Sequence, residues 1–212
     1  MNELLIEPHY LGSLEYYTLL TRFDKVTLEV NQHFTKQTYK NRCYLLTSQG
    51  TIGLSIPVSF ANRTPTREVK IENSHAWIRE HWGALYSAYG KSPFFEFFSD
   101  HFKSIWDRKY KYLIDLNMEF MTICLKLLQV DIDFAFTDKF EAQTKKGVLD
   151  AREVILPKVH YQSRRFYRPA GYNQNFGSDF VPNLSILDLL FLEGSGSMRV
   201  LNESVCADNE QF

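Results

Sequence analysis

The spacing of apolar residues changes near Ser74, and that change limits the folds open to this chain. Before it, Val26-Thr27-Leu28-Glu29-Val30 alternates like a half-buried strand, and Glu3 to Glu7 reads as a buried strand stopped by Pro8. After it, Trp77, His81, Ala84, Leu85 and Ala88 recur at helical spacing, and Ile78, Trp82 and Tyr86 widen the stripe. A second helix is expected from Ser92 as cap and Pro93 at the first helical position, running on to Trp106. A third follows over 112–128, where Leu113, Leu116, Phe120, Ile123 and Leu127 line one face. Strands followed by consecutive helices predict an α+β (mixed α/β) domain rather than a regular βαβ repeat.

The remaining elements fill in around this change. The loop His9-Tyr10-Leu11-Gly12 delivers Ser13 as an N-cap, and Leu14, Tyr17, Thr18 and Leu20 form the stripe of one short helix. Cys43-Tyr44-Leu45-Leu46 and Leu54-Ser55-Ile56-Pro57-Val58 flank a turn at Ser48-Gln49-Gly50, and Glu68-Val69-Lys70-Ile71 reads as an edge strand. Residues 131–136 alternate as a further strand, 141–147 form a polar linker, and 182–191 make a short apolar helix ending at Gly194. The expected architecture is a β-rich N-terminal half with one helix, three helices packed on the sheet, a further strand and a short C-terminal helix. Residues 1–196 form one domain in this reading, and 197–212 a loosely ordered tail.

Composition excludes several classes. A net charge of −1 lacks the basic footprint of a nucleic-acid binder. No apolar run approaches the roughly 20 residues that span a bilayer, and the first residues lack a signal-peptide pattern, so a cytoplasmic protein is expected. Cys43, Cys124 and Cys206 are too few and too widely spaced for a disulfide framework. Cys43, beside Arg42, is either a thiol of lowered pKa or a core residue of its strand. Neither a glycine-rich phosphate loop nor a nucleophile elbow occurs, and Gly194-Ser195-Gly196-Ser197 follows no predicted strand. His75 and His81 are six apart with no Cys-x-x-Cys or His-x-x-x-His, so neither a metal site nor a cofactor is expected. Aromatics make up 15% of the chain, enough for some to line a groove for a flat or sugar-like ligand.

The candidate chemistry lies in the polar stretch 31–42, Asn31-Gln32-His33-Phe34-Thr35-Lys36-Gln37-Thr38-Tyr39-Lys40-Asn41-Arg42, a dense donor array between strands. Arg42 could clamp a phosphate or carboxylate bidentately, or pair with Asp24 or Glu29; Lys36 offers the same choice. His33 is a candidate general base. His81 is either a second base or a hydrogen-bonded core histidine. Tyr89 and Lys91 end the same helix, where a cation also complements the helix dipole. The run 160–168 interleaves Arg164, Arg165 and Arg168 with three aromatics, which suits an anion beside a ring or a solvated loop. Asp188 either meets a ligand or faces solvent.

The ordered blocks Pro8-His9-Tyr10, Leu14-Glu15-Tyr16-Tyr17, Lys36-Gln37-Thr38-Tyr39-Lys40-Asn41-Arg42, Ser55-Ile56-Pro57-Val58, Trp77, His81, Ala88-Tyr89-Gly90-Lys91-Ser92-Pro93-Phe94-Phe95 and Asn183-Leu184-Ser185-Ile186-Leu187-Asp188 resemble the WbqC-like protein family. They cover about the first 100 residues and the segment 172–194, and the chain reads as a short form without an extra helix–strand unit between Phe140 and His160. The resemblance implies a bacterial cytoplasmic protein of surface-polysaccharide (O-antigen) clusters, with glycine, acyl or aminoacyl transfer to a sugar as the expected activity. The other expectation is a non-catalytic sugar or nucleotide-sugar binding or assembly module. Both imply a small-molecule partner and leave the oligomeric state open. The expected base is His33 or His81, and the expected binding residues are Lys36, Tyr39, Asn41, Arg42, Tyr89, Lys91, Arg165, Asn183 and Asp188.

Overall fold

The computed structural model describes residues 3–72 and 75–206. Its first elements are β1 (Glu3–Ile6), α1 (Leu14–Leu20) and β2 (Lys25–Leu28), which form a parallel strand–helix–strand unit. Ser13 caps α1 as expected, its hydroxyl accepting from the Tyr16 N–H at 3.4 Å. The helix is more enclosed than its stripe suggested, for all seven of its residues are buried, Glu15 among them.

The stretch 29–41 is irregular and leads into the hairpin β3 (Arg42–Thr47) and β4 (Gly50–Ser55), then β5 (Val58–Ser59) paired antiparallel with β6 (Lys70–Ile71). Gly50 leaves the hairpin turn at φ +101°, a conformation that favours glycine. Three helices follow: α2 (His75–Tyr89), α3 (Phe95–Trp106) and α4 (Leu113–Leu128). The expected start of α2 at Ser74 lies outside the described residues. Ser92 does not cap α3; its hydroxyl accepts from Asn175 Nδ2 at 2.7 Å, and Phe94 stands at the cap position without a side-chain bond. At the end of α4, Gln129 adopts the left-handed conformation, φ +59°.

Strand β7 (Asp133–Phe136) then joins β2, and the short β8 (Val148–Asp150), not foreseen in the sequence, joins the other side of β1. The result is a four-stranded sheet in the order β7-β2-β1-β8, and all its pairings are parallel. Residues paired across the strands share a face, so Leu4, Val26 and Leu149 point inward with Ile6 and Leu28, all buried. The opposite face carries Glu3, Lys25, Thr27 and Asp133, an unusually polar surface for a parallel sheet, whose faces are normally both covered.

The chain closes with α5 (Ile186–Glu193) and α6 (Ser197–Glu203). Residues 197–203, expected within a loose tail, are therefore helical: Val200 and Leu201 are buried, and Val205 bridges to Tyr167. The rest of that expected tail, 207–212, lies outside the described residues. One hydrophobic cluster joins the inner sheet face and α1 to Phe120, Cys124 and Leu128 of α4 and to the apolar face of α5. The mixed α+β class stands, with a parallel sheet and two small antiparallel ones. No helix among the described residues is long and apolar enough to cross a membrane.

Candidate functional site

In an open parallel sheet, ligands bind beyond the carboxyl ends of the strands, at the point where successive connections leave in opposite directions. Here that point lies between β1 and β8. The chain runs from β1 to β2 and β7 on one side and returns to β8 on the other. The residues that leave these strands are charged and buried. Glu7 follows β1 and Glu29 follows β2, with 3% and 0% of their surfaces exposed, and such burial needs a compensating partner for each.

Glu7 has two partners. Its Oε1 lies 3.5 Å from the Lys40 ammonium, itself 2% exposed, and its oxygens accept the Glu153 N–H at 3.1 and 3.0 Å. Burial pushes the Glu7 carboxyl above the ordinary carboxylate range, while Lys40 and the Glu153 N–H oppose the rise. To make its bond, Glu153 takes φ +56° without being a glycine. Leu11, in the loop after β1, sits at φ +45°, and Gln37, in the loop after β2, at +62°.

Glu29 organises the neighbouring loop. Its Oε1 accepts the N–H groups of Asn31 and Gln32 at 2.8 and 3.1 Å and the Thr137 hydroxyl at 2.9 Å, while Oε2 meets Arg152 at 3.2 Å. Arg152 also forks onto Asp150 and stands 5.2 Å from the centre of the Phe140 ring. Thus fixed, Asn31, Gln32, His33 and Thr35 join Phe140 and Glu153 around a cavity of about 280 Å³. Across Arg152 a second cavity, of about 240 Å³, lies over Leu5 and Thr27 beneath the 137–145 loop.

Behind the Glu7–Lys40 pair stands His9, 4% exposed. Its ring stacks on Tyr16 at 4.2 Å and on Tyr39 at 5.4 Å, and Nδ1 is buried without a hydrogen-bond partner. Burial lowers its pKa to about 3, with the Lys40 charge acting in the same direction, so the imidazole is neutral.

The predicted site residues separate into groups. His33 is exposed at the cavity. Lys36 is exposed, its ammonium 5.2 Å from the centre of the Phe60 ring. Tyr39 is buried against His9. Asn41 and Arg42 fasten the hairpin: Asn41 Nδ2 donates to the Ile56 carbonyl at 2.9 Å, and Arg42 Nε donates to Ser55 Oγ at 2.7 Å. Arg42 therefore bonds to neither of its expected carboxylate partners through that nitrogen.

His81 lies in the core at 1% exposure. Trp106 Nε1 donates to the Tyr10 hydroxyl at 3.1 Å, which donates in turn to His81 Nδ1 at 2.8 Å. Burial lowers the His81 pKa to about 4, partly offset by a bond to the Ser55 backbone. Tyr89 donates to Asp188 at 2.8 Å; Asp188 also accepts from Tyr172 at 2.5 Å and from Gln174 at 3.1 Å, so it is buried rather than turned to solvent. Lys91 is exposed. Of the arginine run, Arg165 is exposed while Arg164 forks onto the fully buried Glu15, which Asn183 Nδ2 also meets at 3.2 Å. These contacts hold the 160–188 segment across α1, and the charge of Arg164 is felt at Tyr39. They do not bring it to Asn41 and Arg42.

Sequence reasoning held Lys40 only within the polar stretch and Glu29 only as a partner for Arg42, and it did not single out Glu7, His9 or Glu153. The available signal was an acidic residue at the end of an apolar run, as in Ile6-Glu7 and Leu28-Glu29. Cys43 and Cys124 are buried, which raises both thiols, Cys124 to about 12, so Cys43 is the core strand residue and not an activated thiol. Among the described residues, no group of three or more His, Cys, Asp or Glu is arranged to hold a metal ion.

No solved structure matches the chain. It is similar to Rv1507c, an uncharacterized protein of Mycobacterium tuberculosis (strain ATCC 25618 / H37Rv), with 23% identity over 219 residues, covering 90% of this chain and 93% of that protein. The model of one family matches residues 7–163, a span that includes the carboxyl edge from Glu7 to Glu153 and most of the helices. By that match over more than half its length, the chain belongs to the WbqC-like protein family.

Proposed function

We propose that the cavity at the carboxyl edge binds a sugar, free or as part of a nucleotide-sugar. We further propose that the chain is a transferase of bacterial surface-polysaccharide biosynthesis, acting in the cytoplasm, that moves an acyl or aminoacyl group onto that sugar. The observation that carries this reading is the lining: two amides, a hydroxyl, an imidazole and a carboxylate around the Phe140 ring, which is 48% exposed. Such a set offers donors and acceptors to a polyol in several directions, while the ring offers a flat apolar face. None of the described lining residues is Lys or Arg, so the part recognised is the sugar rather than a phosphate.

In this reading the sugar's hydroxyl or amine attacks the carbonyl carbon of an activated acyl donor. A C–O or C–N bond forms as the bond to the leaving group breaks, and the acceptor's proton passes to His33 and on to the leaving group. Direct transfer of this kind needs positioning and a base, not a protein nucleophile. His81 is an unfavourable base here because Tyr10 and the Ser55 backbone occupy its ring.

A thermal-shift titration with N-acetylglucosamine and its uridine diphosphate conjugate tests the binding. At 100 times Kd a ligand stabilises by about 2.7 kcal/mol, roughly 5–10 °C for a chain of this size. Gln32→Ala and Phe140→Ala should reduce the shift. His33→Ala should keep it while losing acyl transfer followed by mass spectrometry. Binding without transfer from any acyl-thioester or aminoacyl donor would assign the non-catalytic module instead, and no shift with either sugar would sink both.

A further inference from the structure

We infer that β7 is an association edge for a second copy of this chain: two β7 strands pair antiparallel about a two-fold axis at Ala135 and join the two parallel sheets into one. The inference goes beyond the function proposed above and does not rest on it. Among the described residues β7 ends the sheet order, so one row of its backbone groups faces outward. The N–H groups of Asp133 and Thr137 donate to the carbonyls of Asp24 and Leu28, at 2.8 and 3.0 Å, on the β2 side. Backbone groups alternate in direction along a strand, so those of Phe134 and Phe136 point away from β2. The edge is also open to solvent: Asp133, Ala135 and Phe136 are exposed and Phe134 is half-buried. Native sheets guard such edges with charges, proline, bulges or very short strands. The far end of this sheet is guarded in that way, for β8 has three residues, Leu149 at its centre is buried, and Arg152 forks onto Asp150 at its close. Phe134-Ala135-Phe136 carries no such guard.

The sequence of this edge is complementary to itself. With the axis at Ala135, Phe134 of each copy faces Phe136 of the other. Both residues turn N–H and C=O outward, so each such pair exchanges two backbone bonds. At the axis Ala135 meets Ala135, a non-hydrogen-bonded position where the chains come closest and a small side chain fits. Phe134 and Phe136 are in register with Val26 and Leu28, which places them on the apolar inner face, yet Phe136 is 52% exposed. Pairing would gather the rings of both copies side by side there, and aromatic cross-strand pairs are stabilising. On the opposite face the same register sets Asp131 against Lys139 of the second copy, with Asp133 diagonal to that lysine, so opposite charges meet at both ends. Moving the axis to the midpoint of Phe134 and Ala135 would instead oppose Asp131 to Asp138 and face an outward backbone group with an inward one.

Sedimentation equilibrium of the full chain tests the inference. The apparent mass should climb with concentration from 24.9 kDa towards twice that value. Phe136→Pro removes an outward N–H and a ring while sparing the bonds to β2, because proline is tolerated on an edge strand whose N–H faces away from the sheet. It should raise the dissociation constant roughly 100-fold or more, since each dimer loses two donors and two rings. Ala135→Glu and Ala135→Lys test the axis. Each alone opposes like charges and should weaken self-association about fivefold, whereas an equal mixture of the two should associate more tightly than either. A wild type that stays at 24.9 kDa up to its solubility limit overturns the inference. So does a dimer that Phe136→Pro leaves intact, which would place the contact on another surface, or a mixture no tighter than its components. If Phe136→Pro fails to fold, the two charge variants decide the matter, because they change an exposed side chain only.

Discussion

Arg164→Met is the most informative single change to the framework of this protein. Arg164 forks onto Glu15, whose side chain is fully buried at the start of α1, and also donates to the carbonyls of Val154 and Val159 at 3.2 Å each. Methionine retains much of the aliphatic stem and leaves a buried carboxylate with Asn183 at 3.2 Å as its remaining side-chain partner. Removing one member of a buried pair costs about 3–5 kcal/mol, which for a chain of this length lowers Tm by roughly 6–20 °C near neutral pH. The pH dependence has a definite sign. Burial already raises the Glu15 pKa above 4.5, with Arg164 the largest opposing influence, so the variant raises it further. Below about pH 4.5 the carboxyl is largely protonated in folded and unfolded chains alike, and the variant loses the hydrogen bonds of Arg164 but no ion pair. As pH rises, the unfolded chain ionises freely while the folded variant must retain a proton or bury a bare charge. The gap between variant and wild type, measured by urea unfolding with tryptophan fluorescence, is therefore small at pH 4.5 and large at pH 8. An equal gap at both pH values would refute the reasoning. So would an equal loss in Arg165→Met, whose exposed side chain should matter by no more than about 0.5 kcal/mol.

Two further outcomes are expected. Gly194→Ala should destabilise by about 1–3 kcal/mol in the same urea assay, because its φ is +51° and a Cβ would stand 2.3 Å from the Phe94 ring; unchanged stability would mean that the α5 end is packed otherwise. Native-state labelling with a thiol reagent should modify Cys206 first, with Cys43 and Cys124 reacting only on unfolding, and rapid labelling of Cys43 would contradict its burial in β3.

Features set by neighbours in the chain were legible in the sequence. The Ser13 cap, the turn before Gly50, the helical stripe of α4 and the alternation of β7 are all local, and each lies where its pattern indicates. Long-range partners left no such trace. β8 is three residues long, too short to show a period, and its place beside β1 comes from pairing across more than a hundred residues. Ser92 lost its expected capping role to Asn175, a partner far along the chain. The polar stretch 31–42 was recognisable as special but not divisible by inspection. Its first part lines a cavity, its last two residues fasten a hairpin, and Lys40 between them is buried against Glu7. Similarly, nothing local distinguishes Arg164 from Arg165; only the position of Glu15 decides which is buried.

The order β7-β2-β1-β8 also sets a timetable for synthesis. β1 and β2 are complete by Leu28, but the strand that flanks β2 starts at Asp133 and the one that flanks β1 at Val148. At about 5–20 residues per second, a ribosome needs roughly 5–20 s to cover that interval. Throughout it the young strand pair has two open edges, and for most of it, until Leu128, the inner face of Leu4, Ile6, Val26 and Leu28 also lacks a complete α4. Parallel pairing over such separations is slow in any case, so the nascent chain passes through a long interval in which those edges are open to pairing with another chain.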